Sequence, residues 1–508
     1  MRRKPIRILV ILAILGATFA ITPAAVAGPA SCDTRVNNTL EKLLECVTLD
    51  GVRAHQAALQ EIADDNGGTR VSGSPGYDAS VDYAVEIFEA AGYAVTVQEF
   101  QFQTFISLSP PILEQVSPPP AGPIANNIMT YSGSGDVTAA VSMPIGSPLG
   151  CNASDFAGFP TGHIALILRG TCTFAIKATN AYNAGAAGVV IYNNIAGPLN
   201  GTLGNAFTLD IPVTSVSQAD GLVLAATPGL VLRLKTDTFR GMATAENVLA
   251  ESRSGDPNNV VMAGAHLDSV NAGPGINESG SGSAAILEVA EQMATVKPRN
   301  KVRFALWGAE EASLVGSTYY VNNLSDDDLN RIALYLNFDM IGSPNHVFFI
   351  YDGDDSDGVG SGPGPDGSAQ IEDVFEGFFE SRGLPYKGAD FSGRSDYGPF
   401  IASGIPSGGL FTGAEGLKTA EEAALWGGMA GIAYDPCYHQ ACDTYANVNL
   451  DALDVNADAV AWATLQFAMN TSAVNGVSGK GNFKRQPSGA SGAAGASSSG
   501  HDDHRVAE

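Results

Sequence analysis

Apolar and polar positions along this chain change period several times, and the changes divide it. Val81, Ala84, Val85, Phe88 and Ala91 recur at the spacing of one helix face, Gly92 ends the run, and Tyr93 to Phe102 then alternates as a strand does. Helix, helix, strand is the expected order over residues 50–105. The proline-rich stretch Ser107–Pro123 follows neither period and is expected to be an irregular boundary. Residues from about 125 to 235 have another texture: short apolar runs, Ile164–Leu168 and Gly188–Tyr192, lie among many glycines, with little charge. From Ala245 onward the apolar runs Val260–Gly264, Val302–Trp307 and Ile332–Phe338 alternate with helical stretches such as Ala284–Ala294. That alternation predicts an α/β fold, a mixed and mainly parallel central sheet flanked by helices.

The two ends stand apart. Arg2, Arg3, Lys4 and Arg7 precede an apolar run from Ile8 to Ile21, and Ala25-Val26-Ala27 fits a small-x-small cleavage site. The run is shorter than the roughly 20 residues a spanning helix needs, so a removable export signal over residues 1–27 is expected and a stable membrane anchor is not. Beyond Val474 the chain is mostly Ser, Gly and Ala, which cannot offset the entropy of its own ordering. The expected division is therefore 1–27 signal, 28–124 first part of the main domain, 125–235 insert, 236–473 main domain and 474–508 disordered tail.

Charge and cysteine content narrow the function. The chain carries a formal charge of −26, and −30 without the four basic residues of the leader. Such a surface repels nucleic acid and anionic lipid, so neither is an expected partner. Six cysteines in an exported chain read as disulfides. Several pairings are possible, and proximity favours Cys32 with Cys46, Cys151 with Cys172 and Cys437 with Cys442.

Five places carry candidate chemistry. The strand Val260–Gly264 leads into His266-Leu267-Asp268, a zinc-ligand type with a carboxylate that can fix its tautomer. A glycine-rich loop from Gly273 to Gly282 holds one acid, Glu278. Trp307-Gly308-Ala309-Glu310-Glu311 sets two acids after an apolar strand, so that one can bind metal while the other stays free as a base. Asp339 lies within the apolar run Asn337–Ile341, where an unpaired carboxylate is costly and a cation partner is expected. His439 sits between Cys437 and Cys442. No His-Glu-x-x-His and no Gly-x-Ser-x-Gly is present, which removes the single-zinc endopeptidase plan and weakens a serine hydrolase reading.

In this order the five motifs resemble the co-catalytic two-zinc aminopeptidases, the aminopeptidase Y-like exopeptidases that include secreted bacterial leucine aminopeptidases. The segment Gly170-Thr171-Cys172-Thr173-Phe174, Lys177 and Asn183–Asn193 resembles the protease-associated domain inserted in several exopeptidases. The first resemblance implies a zinc exopeptidase fold over residues 50–105 and 245–470, a secreted monomer, two Zn²⁺ ions and peptide N-termini as substrate. It implies His266 and Asp339 on one zinc, Glu311 and His439 on the other, Glu278 as the bridging carboxylate and Glu310 as general base. It further implies that Asp268 orients His266, that Tyr438 helps polarise the scissile carbonyl, that Arg394 lies at the substrate cleft, and that the Glu278–Ser279 bond is cis. The family's bridging residue is typically Asp, so Glu278 adds one methylene. A carboxypeptidase or dipeptidase of the same fold, a glutaminyl cyclase-like enzyme and a non-enzymatic binding relative are the alternatives.

Overall fold

A computed structural model describes residues 32, 34–358, 360 and 362–476. The expected signal, residues 1–27, lies outside them, as does the tail from residue 477 onward. Val474 and Asn475, assigned above to the tail, instead belong to a last turn of helix, Ser472–Asn475. Val474 is buried and Asn475 donates to Asn259 at 2.8 Å, contacts that hold this turn to the body.

The N-terminal helices Leu49–Asp65 and Pro75–Ala90 bury one face each, with Thr48 capping the first by accepting from Gly51 N and Pro75 opening the second. Four strands build the heart of the sheet in the spatial order Ser407–Phe411, Ile332–Phe338, Asp256–His266 and Asn300–Trp307, each parallel to its neighbours. Antiparallel strands flank them, Phe349–Tyr351 on one side and Val231–Glu251 on the other, so the sheet is mixed and mainly parallel. Helix Gly280–Met293 is buried along nearly its whole length under the sheet. It approaches so closely that a Cβ at Gly282 would stand 1.7 Å from Phe338 O, which makes glycine obligatory there.

One expectation fails. Ser107–Pro123 is no irregular boundary: strand Ala94–Ser117 runs through most of it, paired antiparallel with Val231–Glu251. The ladder tolerates Pro110 and Pro111 because they fall in a register shift, between the pairs Ser109↔Asp237 and Ile112↔Lys235, where the missing proline N–H breaks no bond. The two strands form a long ribbon. Near Glu251 it edges the peptidase sheet through Arg303↔Glu251, and near Val231 it pairs with Gly135–Ser142 of the insert through Ala140↔Val231.

The insert has its own sheet, in which Ile164–Leu168 and Gly188–Tyr192 are fully paired, and its own apolar core around Phe156, Ile167, Val189 and Ile191. Lys177 is buried inside it, with Nζ donating to Leu149 O at 2.6 Å and Gly170 O at 2.8 Å. The disulfides Cys32–Cys46, Cys151–Cys172 and Cys437–Cys442 are formed, with Cα separations of 5.6, 5.8 and 5.3 Å. Among the described residues no helix is long and apolar enough to cross a membrane.

Candidate metal centre

Parallel strands end their carboxyl termini on one edge of the sheet, and in open α/β folds ligands bind there. His266 is the last residue of its strand, Glu310 and Glu311 follow Trp307, and Asp339 is the first residue after Phe338. Asp339 is thus outside the strand, one residue past the position its apolar context suggests. The backbone turns sharply at this edge: Ala309, Met340 and His439 hold left-handed φ of 53°, 57° and 55°, next to or at the candidate residues. Such conformations are uncommon outside glycine and persist where surrounding structure enforces them.

The side chains converge. His266 Nε2 lies 2.9 Å from Glu278 Oε1 and 3.4 Å from Asp339 Oδ1. His439 Nε2 lies 3.1 Å from Glu311 Oε2. Two groups of donors close enough to share a cation share Glu278: one is His266, Glu278 and Asp339, the other Glu278, Glu311 and His439. A third, His266, Glu310 and Glu311, overlaps both. The Glu278–Ser279 bond is cis. Asp268 Oδ1 stands 3.4 Å from His266 Nδ1 and also accepts from Glu310 N at 3.2 Å, so one carboxylate touches both strand ends. Its backbone carbonyl is nearer the ring, 3.1 Å from Nδ1.

Proton affinities follow from this crowding. Burial first, then Asp339, pushes Glu278 up to about 8, and burial raises Glu310 well above the carboxylate range. Burial alone would lower His266 and His439. Asp339 and Glu310 outweigh it at His266, carrying that ring well up, and Glu311 outweighs it at His439, which rises to about 9. Glu311 and Asp339 run the other way, because the histidines offset the desolvation that would raise them. With protons alone, the cluster therefore relieves its acid excess by holding extra protons. Divalent cations would relieve the same excess, and the donor set of imidazole and carboxylate suits zinc. Glu311 Oε1 and Asp339 Oδ1 are buried without hydrogen-bond partners, which leaves lone pairs that a metal could use.

Arg394 lies at the rim, where Nη1 donates to Glu415 Oε1 at 3.0 Å and Nη2 to the Tyr438 hydroxyl at 3.3 Å. The Tyr438 ring stacks on His439 with centroids 3.9 Å apart. Beside them opens a cavity of about 210 Å³ walled by Phe349, Phe411, Ala414 and Tyr434.

Three residues here escape sequence reasoning. Ser395 donates to Asp339 Oδ2 at 2.6 Å, fixing that carboxylate. Arg70, fully buried, donates to Leu267 O, to Pro274 O at 3.0 Å and to Gly275 O at 2.7 Å. Asp443 accepts from the amides of Asn277 at 2.8 Å and Glu278 at 3.0 Å. Asp443 carried a signal, since it stands four residues after His439 in the same short motif, whereas Arg70 sits in an unremarkable polar turn.

Parallel sheet, buried acids and paired imidazoles define a zinc-dependent exopeptidase with an inserted accessory domain. The chain belongs to peptidase family M28, whose profile matches residues 247–464, and the PA domain profile matches residues 134–224. It is 49% identical over 449 residues to an aminopeptidase of Pseudomonas aeruginosa (strain UCBPP-PA14), covering 85% of this chain and 83% of that protein. Leucine aminopeptidase 2 of Arthroderma otae is 42% identical over 402 residues, covering 78% and 80% of the two chains. Among solved structures, the aminopeptidase from Aneurinibacillus sp. strain AM-1 aligns with TM-score 0.59 at 28% identity, over 84% of this chain and 96% of its own. The zinc aminopeptidase from Bacillus subtilis aligns with TM-score 0.61 at 25% identity, over 83% and 95%.

Proposed function

We propose that this chain is an exported two-zinc aminopeptidase that removes N-terminal residues from peptides, with Glu310 as its general base. The observation that carries this reading is the membership of Glu278 in both donor groups, one ending in His266 and Asp339, the other in Glu311 and His439. His266, Asp339, Glu311 and His439 would hold the two ions, and Glu278 would reach both. A bound zinc pair would supply an activated water and a Lewis acid for the scissile carbonyl. Glu310 takes a proton from the attacking water and gives it to the leaving amine, and its burial, which raises proton affinity, suits both halves of that task. Asp268 holds the His266 ring and the Glu310 amide in register. The Tyr438 hydroxyl, which accepts from Arg394, would help polarise the scissile carbonyl.

The substrate's α-amino group pairs with the carboxylates of Glu310 and Asp339, which confines cleavage to the chain end. The apolar walls of Phe349, Phe411 and Tyr434 suit an apolar first side chain. A carboxypeptidase would need Arg394 free for a substrate carboxylate, yet Glu415 and Tyr438 already engage it, which favours the aminopeptidase. Three disulfides support an extracellular site of action.

Glu310→Gln is the test. It should retain wild-type zinc content while turnover of an aminoacyl anilide falls by about 10²–10⁴-fold, the range for a lost general base. Loss of a zinc together with activity would make Glu310 a ligand and refute its role as base. N-blocked dipeptides should not be cleaved by the wild type.

A further inference from the structure

The loop that carries Glu278 lies outside helix and strand; the start of the next helix meets Gly275 O through Gly280 N at 3.0 Å and Asn277 O through Ser281 Oγ at 2.7 Å, and its other polar groups need partners from elsewhere. Arg70 meets the carbonyls of Pro274 and Gly275, and Gln56 Nε2 meets that of Ile276 at 2.9 Å. The three successive amides that follow all go to one residue. Ile276 N donates to the Asp443 carbonyl at 3.2 Å, Asn277 N to Asp443 Oδ1 at 2.8 Å and Glu278 N to Asp443 Oδ2 at 3.0 Å. Asp443 is 2% exposed, and it directly follows the disulfide loop that bears His439. Asp435, before that loop, accepts from Cys437 N at 2.8 Å and from Asn277 Nδ2 at 2.7 Å. Asn447 Nδ2 ties the two aspartates together, 3.0 Å from Asp435 Oδ1 and 3.3 Å from Asp443 Oδ1.

We propose that Asp443 is a positioning residue that couples the two metal positions, by locking the backbone of Glu278 to the loop of His439. This rests on the two-zinc reading above. One carboxylate with an oxygen on each of two neighbouring amides fixes both the height and the tilt of the Glu278 backbone. A shift of the His439 loop then moves Glu278, and a shift of Glu278 moves His439. The lock matters more with glutamate than with a shorter acid, because the extra torsion of Glu278 leaves its carboxylate free to wander unless the backbone is held. The two ions should consequently load as a pair.

Asp443→Asn keeps shape and replaces one acceptor oxygen with an amide that faces a donor. The full chain is stripped with a chelator and titrated with zinc, while anilide turnover is followed over the same zinc range. The wild type should take two zincs over one narrow range of concentration. In Asp443→Asn one of the two should bind about 10–100-fold more weakly, as for a lost partner behind a ligand. Its kcat should fall at limiting zinc and recover in excess zinc, with KM unchanged. A lower melting temperature with both affinities and the zinc dependence of kcat unchanged would reduce Asp443 to a scaffold residue and overturn the proposal. If Asp443→Asn does not fold, Asn447→Ala loosens the same lock more gently, and unchanged zinc uptake there would overturn it equally. A wild type that takes a single zinc would overturn the two-zinc reading itself, an outcome seen before any variant is made.

Discussion

Lys177 in the insert and the acids around His266 are all charges taken out of water, and the two regions treat them in opposite ways. Lys177 is lowered to about 8 by burial, yet its ammonium is met by two carbonyls at hydrogen-bond distance. Its third N–H is met by Cys151 Sγ at 3.7 Å, and the lysine acts as a pin between the two segments that Cys151–Cys172 joins. In the peptidase part Glu278 is up to about 8 and His439 up to about 9, while buried oxygens of Glu311 and Asp339 still lack partners. A buried charge that is fully met is architecture. A group of buried charges with unmet atoms facing one another is a place prepared for something else, because leaving such atoms unmet costs about 1–3 kcal/mol apiece.

The sharpest way to break this contrast is to remove the shared acid. On the two-zinc reading proposed above, Glu278→Ala should lower the occupancy of both zincs and cut turnover by at least about 10²-fold, since the loss would fall on the ligand set itself. Metal content beside anilide hydrolysis reads it, and retention of both zincs at normal turnover would take Glu278 out of the bridging position. Next in size is Arg70→Met, which removes a buried cation behind the same loop. The carbonyls of Leu267 and Pro274 lose their donor together and Gly275 O keeps only Gly280 N, so zinc affinity should fall about 10–100-fold by competition with a chelator. Unaltered zinc affinity would show that the loop keeps its shape without this residue. The smallest catalytic effect is expected from Lys177→Met. It orphans the Leu149 carbonyl at about 1–3 kcal/mol, while Gly170 O keeps the Cys172 amide at 2.9 Å, so the insert should unfold at lower denaturant, while zinc content and turnover of small anilides stay as in the wild type. A large drop in anilide turnover in a folded Lys177→Met protein would place the insert in the chemistry and erase the contrast.

How much of this was legible beforehand depended on whether one stretch of chain carried the whole signal. The strands under His266, Glu310 and Asp339 are mainly apolar in their carboxyl-terminal halves and lead into acids or imidazole, so both the sheet and its chemical edge could be read locally. The ribbon from Ala94 to Ser117 was misread past Ser107, because prolines usually stop strands and sequence does not reveal that a register shift will absorb them. Arg70 could not be found at all. Its role comes from three carbonyls about 200 residues away in the chain, and a carbonyl has no letter of its own. Backbone acceptors are a blind spot of any reading based on side chains.

The ribbon has a mechanical consequence. Strand Val231–Glu251 belongs at one end to the peptidase sheet and at the other to the insert, and Ala94–Ser117 pairs with it over most of its length. The insert is therefore no bead on a string. A flexible tether would let it sample a wide cone of orientations, whereas a twisted two-strand ladder resists torsion and yields mainly by bending across its flat face. The insert should swing like a diving board, through a narrow arc in one plane, from the stretch of ribbon beyond Arg240, whose guanidinium ties the ribbon to the insert through Asp210.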